Sequence, residues 1–189
     1  MNENITLNKT DKIEKNKIAS FGLRAGAYIT DVIVLMLITL PLNYLNFINF
    51  KSFSIYLTIA LIGILYKPLT EAFFGATLGK YALDLKVTDL NYNQISIKQS
   101  FLRSSILLIA PILYIPIQYL VFNNPELMNI EEFMDLSKVV ASNYPLQSLI
   151  GYLSLTILII DLVYMLTDDK KLLRSLHDRI GKTYVIKTK

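Results

Sequence analysis

The sequence predicts an all-α membrane protein: a four-transmembrane-helix bundle carrying a small cytoplasmic β-hairpin or three-strand element. Three observations predict it. Four apolar stretches, residues 25–45, 54–74, 105–122 and 146–166, are each long enough at ~1.5 Å per residue to cross a hydrocarbon layer of ~30 Å. A mean hydropathy of +0.43 and a hydrophobic content of 53% agree with one compact polytopic chain. The basic residues fall between the apolar stretches, so their distribution follows a membrane.

That distribution also excludes partners. A net charge of +4 on 189 residues would suit a nucleic-acid binder only if the Lys and Arg residues shared one soluble face, and they do not. The lipid bilayer is the expected partner instead. With no cysteine, disulfides, thiolate metal sites and thiol nucleophiles are excluded.

The chain opens on a polar arm, residues 1–20, with no apolar core or small-residue cleavage site, so the first span is expected to act as its own insertion signal. The membrane domain follows over residues 21–186, and residues 187–189 form a short tail. Lys9, Lys12, Lys15, Lys17 and Arg24 precede or open the first span. Lys80, Lys86, Lys98 and Arg103 lie in the second connection, and seven more basic residues follow from Lys170 to Lys189. The first connection has Lys51 alone and the third Lys138 alone. Basic residues favour the cytoplasmic side, which places both termini and the middle loop inside.

Within the middle loop, Leu83, Leu85 and Val87 alternate with Asp84, Lys86 and Thr88, the period of a half-buried strand. Asp89 to Asn93 supplies turn residues, and Ile95 and Ile97 then alternate with Ser96 and Lys98, which predicts a hairpin. Thr183 to Ile186 is expected to add a third strand, since two strands alone are marginal in water. In the outer loop, Asn124-Pro125 is a helix-start signal. Ile130, Phe133, Met134 and Val140 then face away from Glu131, Glu132 and Asp135, the pattern of an interfacial amphipathic helix.

Charges inside the spans carry the functional signal, because an ionised side chain in lipid costs several kcal/mol unless paired or hydrated. Asp31, Lys67, Glu71 and Asp161 all fall on the inner half of their spans, with Arg24 and Arg103 at inner ends. Arg24, Tyr28 and Asp31 share a helical stripe, and Lys67 and Glu71 are an i, i+4 pair. Pro68 is placed to kink its helix and free backbone carbonyls. Two readings compete. One is a site or relay for a cation, proton or small solute, with Asp31 and Asp161 as ligands and Arg24 and Lys67 as counter-charges. The other is an ion-pair network that fixes helix packing, since Arg24, Lys67 and Arg103 balance Asp31, Glu71 and Asp161.

Other motifs are weak. His177 has no partner at metal-ligand spacing, and no nucleophile elbow or triad order is present. Gly75-Ala76-Thr77-Leu78-Gly79-Lys80 lacks the spacing of a phosphate loop and reads as a tight turn. No enzyme, cofactor or metal is expected.

Taken together, these blocks resemble the RDD family of small bacterial membrane proteins, named for one arginine and two aspartates. The resemblance rests on Arg24 to Asp31, on Gly75, Thr77, Gly79 and Lys80, on Leu85-Lys86-Val87 through Ile95-Ser96 to Arg103, and on Leu176 to Val185. It implies Asp178 as the second aspartate, with Asp161 the other candidate. It also implies a bacterial plasma membrane location and a role in transport, sodium–proton exchange having been suggested for some members. Four spans are few for an alternating-access carrier, so that role would call for a homo-oligomer or a partner subunit.

Overall fold

The computed structural model describes residues 18–168 and 172–188. The arm's Lys9, Lys12, Lys15 and Lys17, and Lys170, Lys171 and Lys189 of the tail, lie outside the described residues. In chain order the elements are α1 (Phe21–Leu45), a π-helical turn (Asn46–Phe50), α2 (Phe53–Phe74), α3 (Leu78–Ala82), β1 (Leu85–Asp89) and α4 (Ile97–Phe122). They continue with α5 (Pro125–Met128), α6 (Phe133–Asn143), α7 (Leu146–Leu166), α8 (Leu176–Gly181) and β2 (Thr183–Lys187). Among the described residues four helices are long and apolar enough to cross a membrane, with mean hydropathies of 1.9, 1.5, 2.0 and 2.2. Their side chains are arranged inside out. Leu37, Leu149, Tyr152 and Leu166 are exposed, while Glu71, Arg103 and Asp161 are buried. Lipid solvates such a surface; water would not.

The chain divides into two compact units. Among the described residues one comprises 18–31, 68–104, 160–168 and 172–188, the other 32–67 and 105–159. In the first, β1 and β2 pair antiparallel, Val87 opposite Val185. Leu85 and Val185 share a small core with Ala19 and Ala27, against which Leu23 and Leu83 pack. Both outer edges of the pair are partly covered. Ala19 N donates to Val185 O (2.9 Å) beside an Ile18–Ile186 bridge, and Val87 N donates to Gly75 O (2.7 Å). Covering an edge this way removes unpaired backbone groups that would otherwise template aggregation.

The expected hairpin is not what forms. β1 appears where alternation placed it, but it pairs with residues 183–187 directly, and residues 97 onward are helix. Among the described residues the sheet has two strands. Ser96 and Gln99 explain the difference. Gln99 Oε1 accepts from Ser96 N (3.0 Å) while Ser96 Oγ accepts from Gln99 N (3.2 Å), a reciprocal capping box that starts α4. What remains beside the turn is an isolated Thr88–Gln94 bridge and a hydrogen bond from Asp89 N to Asn93 O (2.9 Å). Asp89 Oδ1 accepts from Asn91 N and Asn93 N, both at 2.8 Å, and turns the chain between them.

The second unit is held by apolar packing. Ile117, Val121, Leu127, Leu136 and Val140 form its core, against which Phe47 and Ile150 pack. Phe47 stacks on Phe122 at 4.9 Å, and Phe53 meets Tyr119 edge-on at 5.1 Å. Asn124 caps α5 as its sequence signals, accepting from Glu126 N at 3.0 Å. The amphipathic segment forms α6: Val140 is buried as expected, Leu136 joins it and Ile130 packs against the same core, while Phe133 and Met134 are exposed.

Candidate functional site

The first unit contains a buried cluster of acids and bases built from six elements. Arg103, on the second turn of α4, is its hub and is 1% exposed. Its guanidinium reaches Asp178 Oδ1 (2.9 Å) and Glu71 Oε2 (3.1 Å), and donates to Thr183 Oγ1 (3.0 Å) on β2. The Nε contact to Glu71 Oε2 and the Nη1 contact to Asp178 Oδ1 are ion pairs by distance without the alignment of hydrogen bonds. Glu71, fully buried on α2, also pairs with Lys80 of α3. Asp178, fully buried on α8, also pairs with Arg24 of α1, whose guanidinium donates to the Leu173 carbonyl as well.

Asp178 serves its own helix too. Ser175 and Asp178 form a capping box at the start of α8, Asp178 Oδ2 accepting from Ser175 N at 3.1 Å. Burial opposes its ionisation, but Arg103 and Arg24 beside it hold its carboxyl well below the usual carboxylate range. Gly181 lets α8 approach α4. A Cβ there would lie 2.7 Å from the Cβ of Arg103.

A second group flanks the hub. Arg103 Nη2 lies 3.1 Å from His177 Nε2. Arginine has only donors, so Nε2 accepts and the ring proton sits on Nδ1. Nδ1 is 2.7 Å from both carboxylate oxygens of Asp161 on α7, and the His177 amide donates to Asp161 Oδ1 at 2.9 Å. Ser175 Oγ also lies 2.8 Å from Nδ1. Serine and aspartate thus share one ring nitrogen, whereas a hydrolytic relay needs them on opposite nitrogens.

Asp31 holds a different element. It accepts from Thr77 Oγ1 (2.6 Å) and from Gly79 N (2.8 Å), at the start of α3. A Cβ on Gly79 would run into the Ala27 carbonyl, so glycine is what allows α3 to reach the Asp31 carboxylate. The expected Arg24–Asp31 pairing is therefore replaced by Arg24–Asp178 and by Asp31–Thr77/Gly79. Lys80, from the connection rather than a span, is a further cation of this cluster, pairing with Glu71. Of the expected residues, Arg24, Glu71, Arg103 and Asp178 share one network, and Asp161 joins it through His177. Lys80 and His177, which the sequence places in a turn and in a closing segment outside the spans, are members of the network as well.

The order and chemistry of these blocks is that of a family. The RDD family profile matches residues 18–182, most of the chain. The chain belongs to the RDD family. Neither a curated protein nor a solved structure matches it. In this RDD protein the arginine of the first helix is thus partnered by the aspartate of the closing segment, 154 residues away, while the aspartate of the first helix holds the glycine-threonine-glycine-lysine turn.

Proposed function

We propose that this RDD membrane protein is non-enzymatic and that its buried charge cluster is an ion-pair latch, which fastens the connecting segments to the inner ends of the membrane helices. The observation that carries this reading is the pairing of both fully buried carboxylates. Glu71 is held by Lys80 and Arg103, and Asp178 by Arg24 and Arg103. Removing one partner of such a group leaves a charge uncompensated in a low-dielectric site, which costs several kcal/mol. The excess of Lys and Arg in the termini and second connection supports an orientation with this unit in the cytoplasm of a bacterium, both termini inside the plasma membrane.

A double-mutant cycle tests the latch. Arg24→Ala with Asp178→Asn should show a coupling energy of roughly 1–3 kcal/mol in thermal or denaturant unfolding, and Arg24→Ala with Asp31→Asn should be additive within about 0.5 kcal/mol. Additivity of the first pair would overturn the reading.

The His177–Asp161 contact favours a second reading, proton-coupled movement of a cation or small solute. Histidine is the side chain whose ordinary titration lies near neutral pH, and here it joins a carboxylate in a membrane helix to the Arg103 hub. Protonation would put a donor on Nε2 facing Arg103 and weaken that contact. In this reading a homo-oligomer or partner subunit completes the path. Asp161→Asn in proteoliposomes should then abolish sodium- or pH-driven flux; equal flux in variant and parent removes the pair from any transport mechanism.

A further inference from the structure

Polar atoms of the second unit point to a ligand. A cavity of about 330 Å³ lies among α1, α2 and α4, with Asn43, Tyr56, Ile59, Gly63, Pro111 and Tyr114 in its wall. Its size is at the lower end of small-molecule sites, which run from ~300 to ~1,000 Å³. Gly63 lines it on the α2 side and faces open space, a Cβ added there meeting nothing within 4 Å.

The wall has a specific chemistry. It contains no Asp, Glu, Lys, Arg or His, so a charged ligand would enter an apolar layer without a counter-charge, at a cost of several kcal/mol. Asn43 Nδ2 donates to the Thr39 carbonyl (2.9 Å), but Asn43 Oδ1 is buried with no hydrogen-bond partner. A buried acceptor left unmade costs free energy that a donor on a bound molecule would recover. The remaining surface is mostly hydrocarbon and phenol ring. Neutrality, one donor and an apolar body are therefore the three features the cavity selects. A lipid acyl chain has no donor and leaves Asn43 Oδ1 as it is.

We propose that this cavity binds a neutral, hydroxyl-bearing lipophile, its hydroxyl donating to Asn43 Oδ1 and its apolar body lying against Ile59, Gly63 and Pro111. Gly63 sets the space available and Asn43 the polar anchor. Tyr56 and Tyr114 flank the site as aromatic walls.

The test is photolabelling of the full chain in phosphatidylethanolamine–phosphatidylglycerol nanodiscs with a diazirine-bearing octanol, the label located by mass spectrometry. Tyr152, exposed at 68%, reports non-specific labelling from lipid. Saturable label at Tyr56 and Tyr114 that octanol competes away and octane does not is the expected result. Gly63→Leu, which fills the space, should cut it by about tenfold or more. Asn43→Leu should weaken it by about fivefold, the value of one ordinary hydrogen bond. Equal label at Tyr152, competition by octane as strong as by octanol, or undiminished label in Gly63→Leu would each overturn the proposal. If Gly63→Leu does not assemble, Asn43→Leu with the octanol–octane comparison decides the outcome alone.

Discussion

The two units of this protein solve the same packing problem by opposite means. The first orders two short strands, two short helices and the ends of four long ones by burying charge, with Arg103 touching Glu71, Asp178, His177 and Thr183 at once. The second orders three connecting elements by burying hydrocarbon and aromatic rings around Val121 and Leu127. Apolar packing is tolerant, because any side chain of roughly the right volume will do. A buried ion-pair network is not: each member is held by the others, and removal of one leaves the rest desolvated. The difference predicts that single substitutions in the first unit are felt across all of it, and that those in the second stay local.

Arg103→Ala should give the largest effect. It strips one cation from both fully buried carboxylates, at an expected cost of about 3–5 kcal/mol. Hydrogen exchange in nanodiscs should show lost amide protection over β1 and β2, with α6 and its core unchanged. Equal loss in both units would erase the contrast.

The contrast explains what the sequence made legible. Span number and type, the strand at 85–89 and the Asn124-Pro125 helix start are local properties, set by hydropathy, period and backbone chemistry over a few residues. Which charges meet is not local. Arg24 and Asp31 lie on one helical stripe, yet seven residues separate them by ~10 Å along the axis, more than an ion pair spans without help from long side chains. Arg24 instead pairs with Asp178, which no period of α1 could indicate. Lys80 was hidden for a related reason. It sits in a connection rather than a span, and only folding of α3 back against α1 and α2 buries it. The misread strand at 95–98 was legible in principle, since Ser96-Ile97-Lys98-Gln99 is a capping-box sequence. Alternation over four residues was the weaker signal.

Two glycines sharpen the comparison at the level of a single methyl group. Gly79 belongs to the charged unit, where an added Cβ would collide with the Ala27 carbonyl and stand 3.0 Å from Asp31 Cγ. Gly79→Ala should therefore push α3 away from the carboxylate that its amide holds, costing roughly 1–3 kcal/mol. Gly63 belongs to the apolar unit and faces open space, so Gly63→Ala should stay within about 0.5 kcal/mol of the parent or gain slightly from better helix propensity. Paired thermal unfolding curves would check both. Similar losses at the two sites would mean that close approach is not what distinguishes them.

The smallest effect tests whether charge matters in the apolar unit at all. Its ion pair on α6, Asp135 with Lys138 at 2.9 Å, is as short as the Arg103–Asp178 contact, but the side chains are 54% and 71% exposed. Water screens both groups before and after the pair breaks, and holding two side chains in one geometry costs entropy that offsets most of the attraction. Asp135→Ala should accordingly change stability by no more than about 0.5 kcal/mol, and Lys138→Ala by as little. Asp135 also lies in the first turn of α6, where a negative charge is favoured by the helix dipole. Lys138→Ala isolates the pair from that contribution, so the lysine variant is the cleaner measurement. A loss of about 3 kcal/mol or more from either variant, the scale on which removing one partner of a buried pair is felt, would show that distance rather than burial governs these interactions.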